Sequence, residues 1–136
     1  MKPYLIAYVV TLLVFLGLDV IWLTTVAQRL YRPLLGDVLL DRFSPVPACL
    51  FYLIYVGGMV FFAVAGALET GRWSTATLSG AVLGFVAYAT YDLTNQATLR
   101  NWPTIVTMLD LCWGTFLTAL AATAGYLAAR SLANVA

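Results

Sequence analysis

Four long apolar stretches, separated by short polar ones, set the pattern of this chain. Residues 4–27 run apolar apart from Asp19, and residues 47–68 carry no charged residue. Two more runs cover about 75–97 and 104–128. Each has the roughly 20 residues that a helix needs to cross a hydrocarbon core of about 30 Å. Ser44-Pro45-Val46-Pro47 precedes the second run, Glu69-Thr70-Gly71-Arg72-Trp73-Ser74 separates the second from the third, and Arg100-Asn101-Trp102-Pro103 precedes the fourth. Such short turns make successive helices antiparallel neighbours. The pattern predicts an all-α integral membrane four-helix bundle, a single transmembrane domain over residues 1–136.

The connection between the first two runs has a pattern of its own. Leu30, Leu34 and Val38, beside Tyr31, Leu35 and Leu39, recur at helical spacing, with Arg29, Arg32, Asp37 and Asp41 opposite. This predicts an interfacial amphipathic helix at 29–43, with Pro33 in its first turn. Gly36 weakens that helix, and an irregular loop is the alternative. At the other end of the first run, Thr25-Val26-Ala27 resembles a signal-peptide cleavage site. The run is longer than an h-region of about 7 to 15 residues and contains an acid, which favours a retained helix.

Composition sharpens the class. The 136 residues are 62% hydrophobic and 10% charged, with mean hydropathy +0.91. A soluble domain carries about 25% charged residues, and a core of this size could not hide so much apolar surface. The partner that the composition demands is the lipid bilayer. A net charge of +1 gives no broad basic face, so no nucleic acid partner is expected. Cys49 and Cys112 fall in apolar runs without metal-ligand spacing. The absence of histidine excludes His-ligated haem and His-dependent triads. No cofactor is expected; hard-cation chemistry with Mg or Mn on carboxylates stays open.

Three carboxylates stand inside the apolar runs, and a charge there costs several kcal/mol, which makes each a functional candidate. Asp19 lies in Leu18-Asp19-Val20-Ile21-Trp22, Asp92 in Tyr91-Asp92-Leu93-Thr94-Asn95, and Asp110 in Asp110-Leu111-Cys112-Trp113-Gly114. Counted along alternating spans at about 1.5 Å per residue, all three lie roughly 7 to 12 Å below the same surface. Phase adds to depth. Gly80, Gly84, Tyr88, Asp92 and Asn95 share one stripe, and Gly80-x-x-x-Gly84 permits close helix approach. Thr107, Asp110, Gly114, Thr118, Ala121 and Gly125 make a second small and polar face, and Tyr8, Leu12, Phe15, Asp19 and Trp22 align on the first span. Tyr52 and Tyr55 reach the same level from the second span. The expected site is therefore a polar pocket of Asp19, Asp92, Asn95, Asp110 and Thr107, walled by Tyr52, Tyr55, Tyr88, Tyr91, Trp22 and Trp113. The bland alternative makes each acid a protonated hydrogen-bonding framework group. Trp73 and Trp102 read as interfacial anchors.

The run Tyr91-Asp92-Leu93-Thr94-Asn95-Gln96-Ala97-Thr98-Leu99, followed by Trp102-Pro103, Thr107, Asp110 and Trp113-Gly114, resembles a family of small bacterial membrane proteins of unknown function. Leu18-Asp19 with Trp22-Leu23, and Phe51-Tyr52 with Tyr55, fit the same family. The resemblance implies a four-helix, multi-pass protein of the bacterial cell inner membrane, and no activity. The even number of spans puts both termini on one side. Arginines and lysines divide almost evenly between the two sides and set no orientation.

Three functions compete. The first is proton- or cation-coupled transport or binding of a small solute at the buried three-aspartate site. Small four-helix exporters that act as dimers are an architectural analogy, which puts a homodimer among the expectations. The second is a membrane enzyme acting on a lipid or isoprenoid phosphate, with Asp19, Asp92 and Asp110 holding a divalent metal, or with one protonated acid as proton donor. The third is a structural or accessory subunit. One acid per helix, at one depth, favours the first; the lack of an Asp-x-x-Asp pair counts against the second.

Overall fold

The computed structural model describes residues 1–36, 38–39 and 44–133. Four long helices form the chain: α1 (Lys2–Leu35), α2 (Pro45–Thr70), α3 (Trp73–Thr98) and α4 (Thr104–Leu132). Proline in the first turn starts both α1 and α2, where its missing N–H costs nothing. Gly71 ends α2 at φ 70°, in the left-handed conformation that a Cβ disfavours, and its N–H bonds to the Ala67 carbonyl at 2.8 Å. Arg130, near the end of α4, donates to the Gly71 carbonyl at 2.5 Å and ties that turn to the last helix. Asn101, at φ 59°, turns the chain from α3 into α4.

Three of the helices, α1, α2 and α4, are long and apolar enough to cross a membrane. The third expected span is a helix of 26 residues, but it is less apolar than the others. Its hydroxyls explain this. Thr77, Thr90, Thr94 and Thr98 each donate to the carbonyl four residues earlier, so a polar sequence still presents few unpaired groups. Apolar side chains point outward throughout: Ile21, Ile54, Phe61, Leu78, Met108 and Leu127 are all exposed. Against water such a surface would be untenable; against lipid it is the expected one.

The four helices run up, down, up and down. The α3–α4 seam is the tightest. A Cβ on Gly80 would lie 2.9 Å from the Thr118 carbonyl oxygen and 3.0 Å from the Ala119 Cα. One on Gly84 would collide with the Gly114 carbonyl and Thr118. The glycine stripe read from spacing is thus the packing face, and it carries Asp92 with it. On the other flank of α4, Gly125 lets Thr11 of α1 approach. The buried phase of α1 is Ala7, Thr11, Phe15 and Asp19, with Tyr8 and Leu12 at its margin.

The connection after the first span departs from a separate interfacial helix at 29–43. Helix α1 runs on to Leu35, through a turn at Thr25 and a wide π-turn at Ala27–Tyr31. Tyr31 and Leu35 pack on Val106 of α4, beside Trp22, Ala27, Leu30, Trp102 and Leu109. Burial of these side chains against α4 makes the segment a bent extension of the span. Asp37, Asp41 and Arg42, and the expected helix beyond Leu39, lie outside the described residues.

Candidate functional site

A cavity of about 670 Å³ opens between α1, its bent extension, α3 and the start of α4. Its lining includes Asp19, Trp22, Tyr31, Arg32, Tyr88, Tyr91, Trp102, Asp110 and Trp113. Six of the eleven expected site residues are among them: Asp19, Trp22, Tyr88, Tyr91, Asp110 and Trp113. The depth argument thus holds for all three helices that meet here.

Asp19 is held on both oxygens. Tyr52 of α2 donates to Oδ2 at 2.6 Å, and the Trp113 indole N–H of α4 donates to Oδ1 at 3.3 Å. One carboxyl therefore joins three helices. Trp113 is fixed further by stacking on Trp22, with ring centroids 4.4 Å apart and planes 8° from parallel. This explains the repeated Leu-Asp-x-x-Trp pattern. Its two tryptophans pack on one another, and the second one returns a hydrogen bond to the first acid.

Asp110 is half-buried and takes the Tyr31 hydroxyl on Oδ1 at 2.5 Å. Asp92 is fully buried, and neither of its oxygens has a hydrogen-bond partner among the described residues. Its carboxyl lies against that of Asp110. An ionised carboxylate stranded without donors would be costly, while two carboxyls sharing one proton can satisfy each other.

Asp19 and Asp110 both line the cavity, and Asp92 is buried behind it. Asp92 and Asp110 form a pair, while Asp19 is bonded separately by Tyr52 and Trp113. Among the described residues no three acidic or other metal-ligating side chains stand together to hold a metal ion.

Other expected residues stand behind the cavity. The Tyr55 hydroxyl pairs with Thr118 at 2.9 Å in the core. Tyr52 is engaged by Asp19. Thr107 is buried and accepts the Trp102 indole N–H at 3.0 Å, so Trp102 packs inward as a cavity wall. Asn95 is half-buried on α3, outside the cavity lining. Tyr31 is the residue that spacing missed. It read as part of an apolar stripe, and its aromatic ring next to Leu30 was the signal available.

Fold and cavity together define a small helical membrane protein with an acidic, aromatic-lined interior. The chain belongs to the predicted membrane protein family DUF2177, whose model matches residues 4–127. No curated protein and no solved structure matches it.

Proposed function

We propose that the cavity binds a small solute and that its occupancy is coupled to the proton shared by Asp92 and Asp110, making the chain a proton-coupled carrier or binding protein. The observation that carries this reading is the placement of the pair. Asp110 lines the cavity, while Asp92 is closed off behind it without a hydrogen-bond donor. A solute that takes Asp110 as its counter-charge competes with the proton. The proton must then move to Asp92 or leave. Membrane acids facing a cavity commonly form such relays.

The reading includes a place in the cell inner membrane as a multi-pass protein with both termini on one side, as the up-down-up-down order supports. A homodimer belongs to the same reading as an expectation. The metal-dependent form of the enzyme alternative has less support, since no three acidic side chains stand together among the described residues. One observation favours the framework alternative for a single acid: Asp19 hydrogen-bonds two other helices.

The test is proton flux in proteoliposomes driven by an imposed gradient of a small amine, read with an internal pH indicator. Wild-type protein should move protons with the amine, and Asp92→Asn and Asp110→Asn should not. Equal flux in the variants would remove proton coupling.

A further inference from the structure

The lining of the cavity is specific enough to name a ligand class. Resting on the reading that this cavity holds a solute, we infer that the solute is a small organic cation, an amine or quaternary ammonium on an apolar or aromatic body.

Charge comes first. Among the described lining residues the ionisable acids are Asp19 and Asp110, and the permanent cation is Arg32. With both carboxyls ionised the lining carries one net negative charge, which a monovalent cation neutralises. An anion would face two carboxyls from inside a poorly hydrated site. Arg32 is exposed, and its Nε–H donates to Gln28 Oε1 at 3.1 Å, which gives that cation a neutral partner on the cavity wall.

The walls make the same distinction. Trp22, Trp102, Trp113, Tyr31, Tyr88 and Tyr91 surround the acids. Aromatic faces attract cations, and tryptophan does so best; the attraction grows where water is excluded. Cages of this kind take quaternary ammonium groups, whose charge is spread and whose hydration is weak. A bare metal ion would need several ligands in one place, and no three acidic side chains stand together among the described residues. The volume suits a ligand of small-drug size and leaves an ion alone without contacts.

The rings are also fixed before any ligand arrives. Trp113 is held by Asp19 and by the Trp22 stack, and Tyr31 meets Trp22 edge-on at 6.1 Å while bonding to Asp110. A cage that is already formed spends little free energy on ordering its walls.

Three probes on one benzyl group and of different charge test this: benzyltrimethylammonium, its neutral carbon isostere neopentylbenzene, and the anion phenylacetate. Binding to the full chain in detergent is read by tryptophan fluorescence and by the rise in melting temperature. The ammonium should bind about tenfold or more tightly than the isostere, and phenylacetate should not compete with it. Asp110→Asn and Asp19→Asn should each narrow that preference, and the wild-type series decides the matter even if a variant folds poorly. Equal affinity for the isostere, or preference for phenylacetate, overturns the cation assignment and leaves the solute cavity standing. Binding of none of the three overturns the assignment and the solute-cavity reading together.

Discussion

The hydroxyl of Tyr31 donates to Oδ1 of Asp110 at 2.5 Å, joining residues 79 apart in the chain. It bonds the bent end of α1 to the start of α4 across the cavity. Tyr31→Phe keeps the ring and its packing on Val106 and removes only the donor. Interhelical hydrogen bonds in membranes average about 0.6 kcal/mol and reach about 1.7. The expected loss of stability lies in that range, nearer the top, because the partner is a carboxyl. Thermal unfolding in detergent measures it, and Phe with wild-type stability would mean that the bond contributes nothing.

Asp19 and Asp92 should respond differently to the same change. Asp19→Asn replaces one of two occupied acceptors with an NH₂ group, which the Trp113 indole cannot accept and the Tyr52 hydroxyl accepts only by turning its own donated proton away. A loss of about 1 to 3 kcal/mol follows. Asp92→Asn breaks no bond to a tyrosine, tryptophan or other donor beyond Asp110 among the described residues, and its amide N–H can replace the proton shared with Asp110. Its stability should stay within about 0.5 kcal/mol of wild type or rise. Melting curves of the two proteins in one detergent should therefore rank Asp19→Asn well below Asp92→Asn. The reverse order would make Asp92 the framework acid.

Gly84→Leu should be the most damaging single change in the α3–α4 seam. Its Cβ alone collides with the Gly114 carbonyl and Thr118, both fixed by helix α4. Overpacking of this kind costs about 1 to 3 kcal/mol, or more where backbone is struck. Gly114→Ala should be nearly as severe, since its Cβ would enter the Tyr88 ring. Gly17→Ala is the control, having open space around the added methyl. The measurement is yield of monodisperse protein together with melting temperature. A tolerated Gly84→Leu would contradict the seam.

Gly71→Ala tests the opposite end. Alanine at φ 70° is strained, at a cost of about 1 kcal/mol. Arg130→Gln should weaken the same corner by removing the bond to the Gly71 carbonyl. Neither change should alter binding of a cation in the cavity. Ligand affinity measured beside stability separates the two ends of the bundle.

Sequence and structure agree where period alone governs. The helices, their turns and the Gly80–Gly84 face follow from local pattern, because turn chemistry and the need for close backbone approach are written in adjacent residues. The level of the three acids was legible for the same reason, being a count along straight helices. Their division into a pair and a single was not. It depends on the Trp113 indole reaching Asp19, a contact between residues 94 apart. Tyr31 was hidden by phase. Nine residues after Trp22, at about 100° each on an α-helix, it would project to the far side. The π-turn at Ala27–Tyr31 widens the helix and changes that phase, bringing its ring to Trp22. No residue spacing announces a π-turn.

The meeting of Thr11 with Gly125 has a mechanical consequence. Here α1 and α4 are pinched together by a glycine. Eight residues further along α1, at Asp19, indoles and an open cavity stand between them. The pair of helices therefore has the form of tongs, closed at a narrow pivot and spread at the tips. The lever from pivot to Asp19 is about 12 Å long, at 1.5 Å per residue. A rotation of roughly 5° about the pivot displaces the Asp19 end by about 1 Å over that lever, a distance on the scale of a hydrogen bond made or lost. Small tilts, too slight to disturb the glycine contact, are enough to change the width of the jaws.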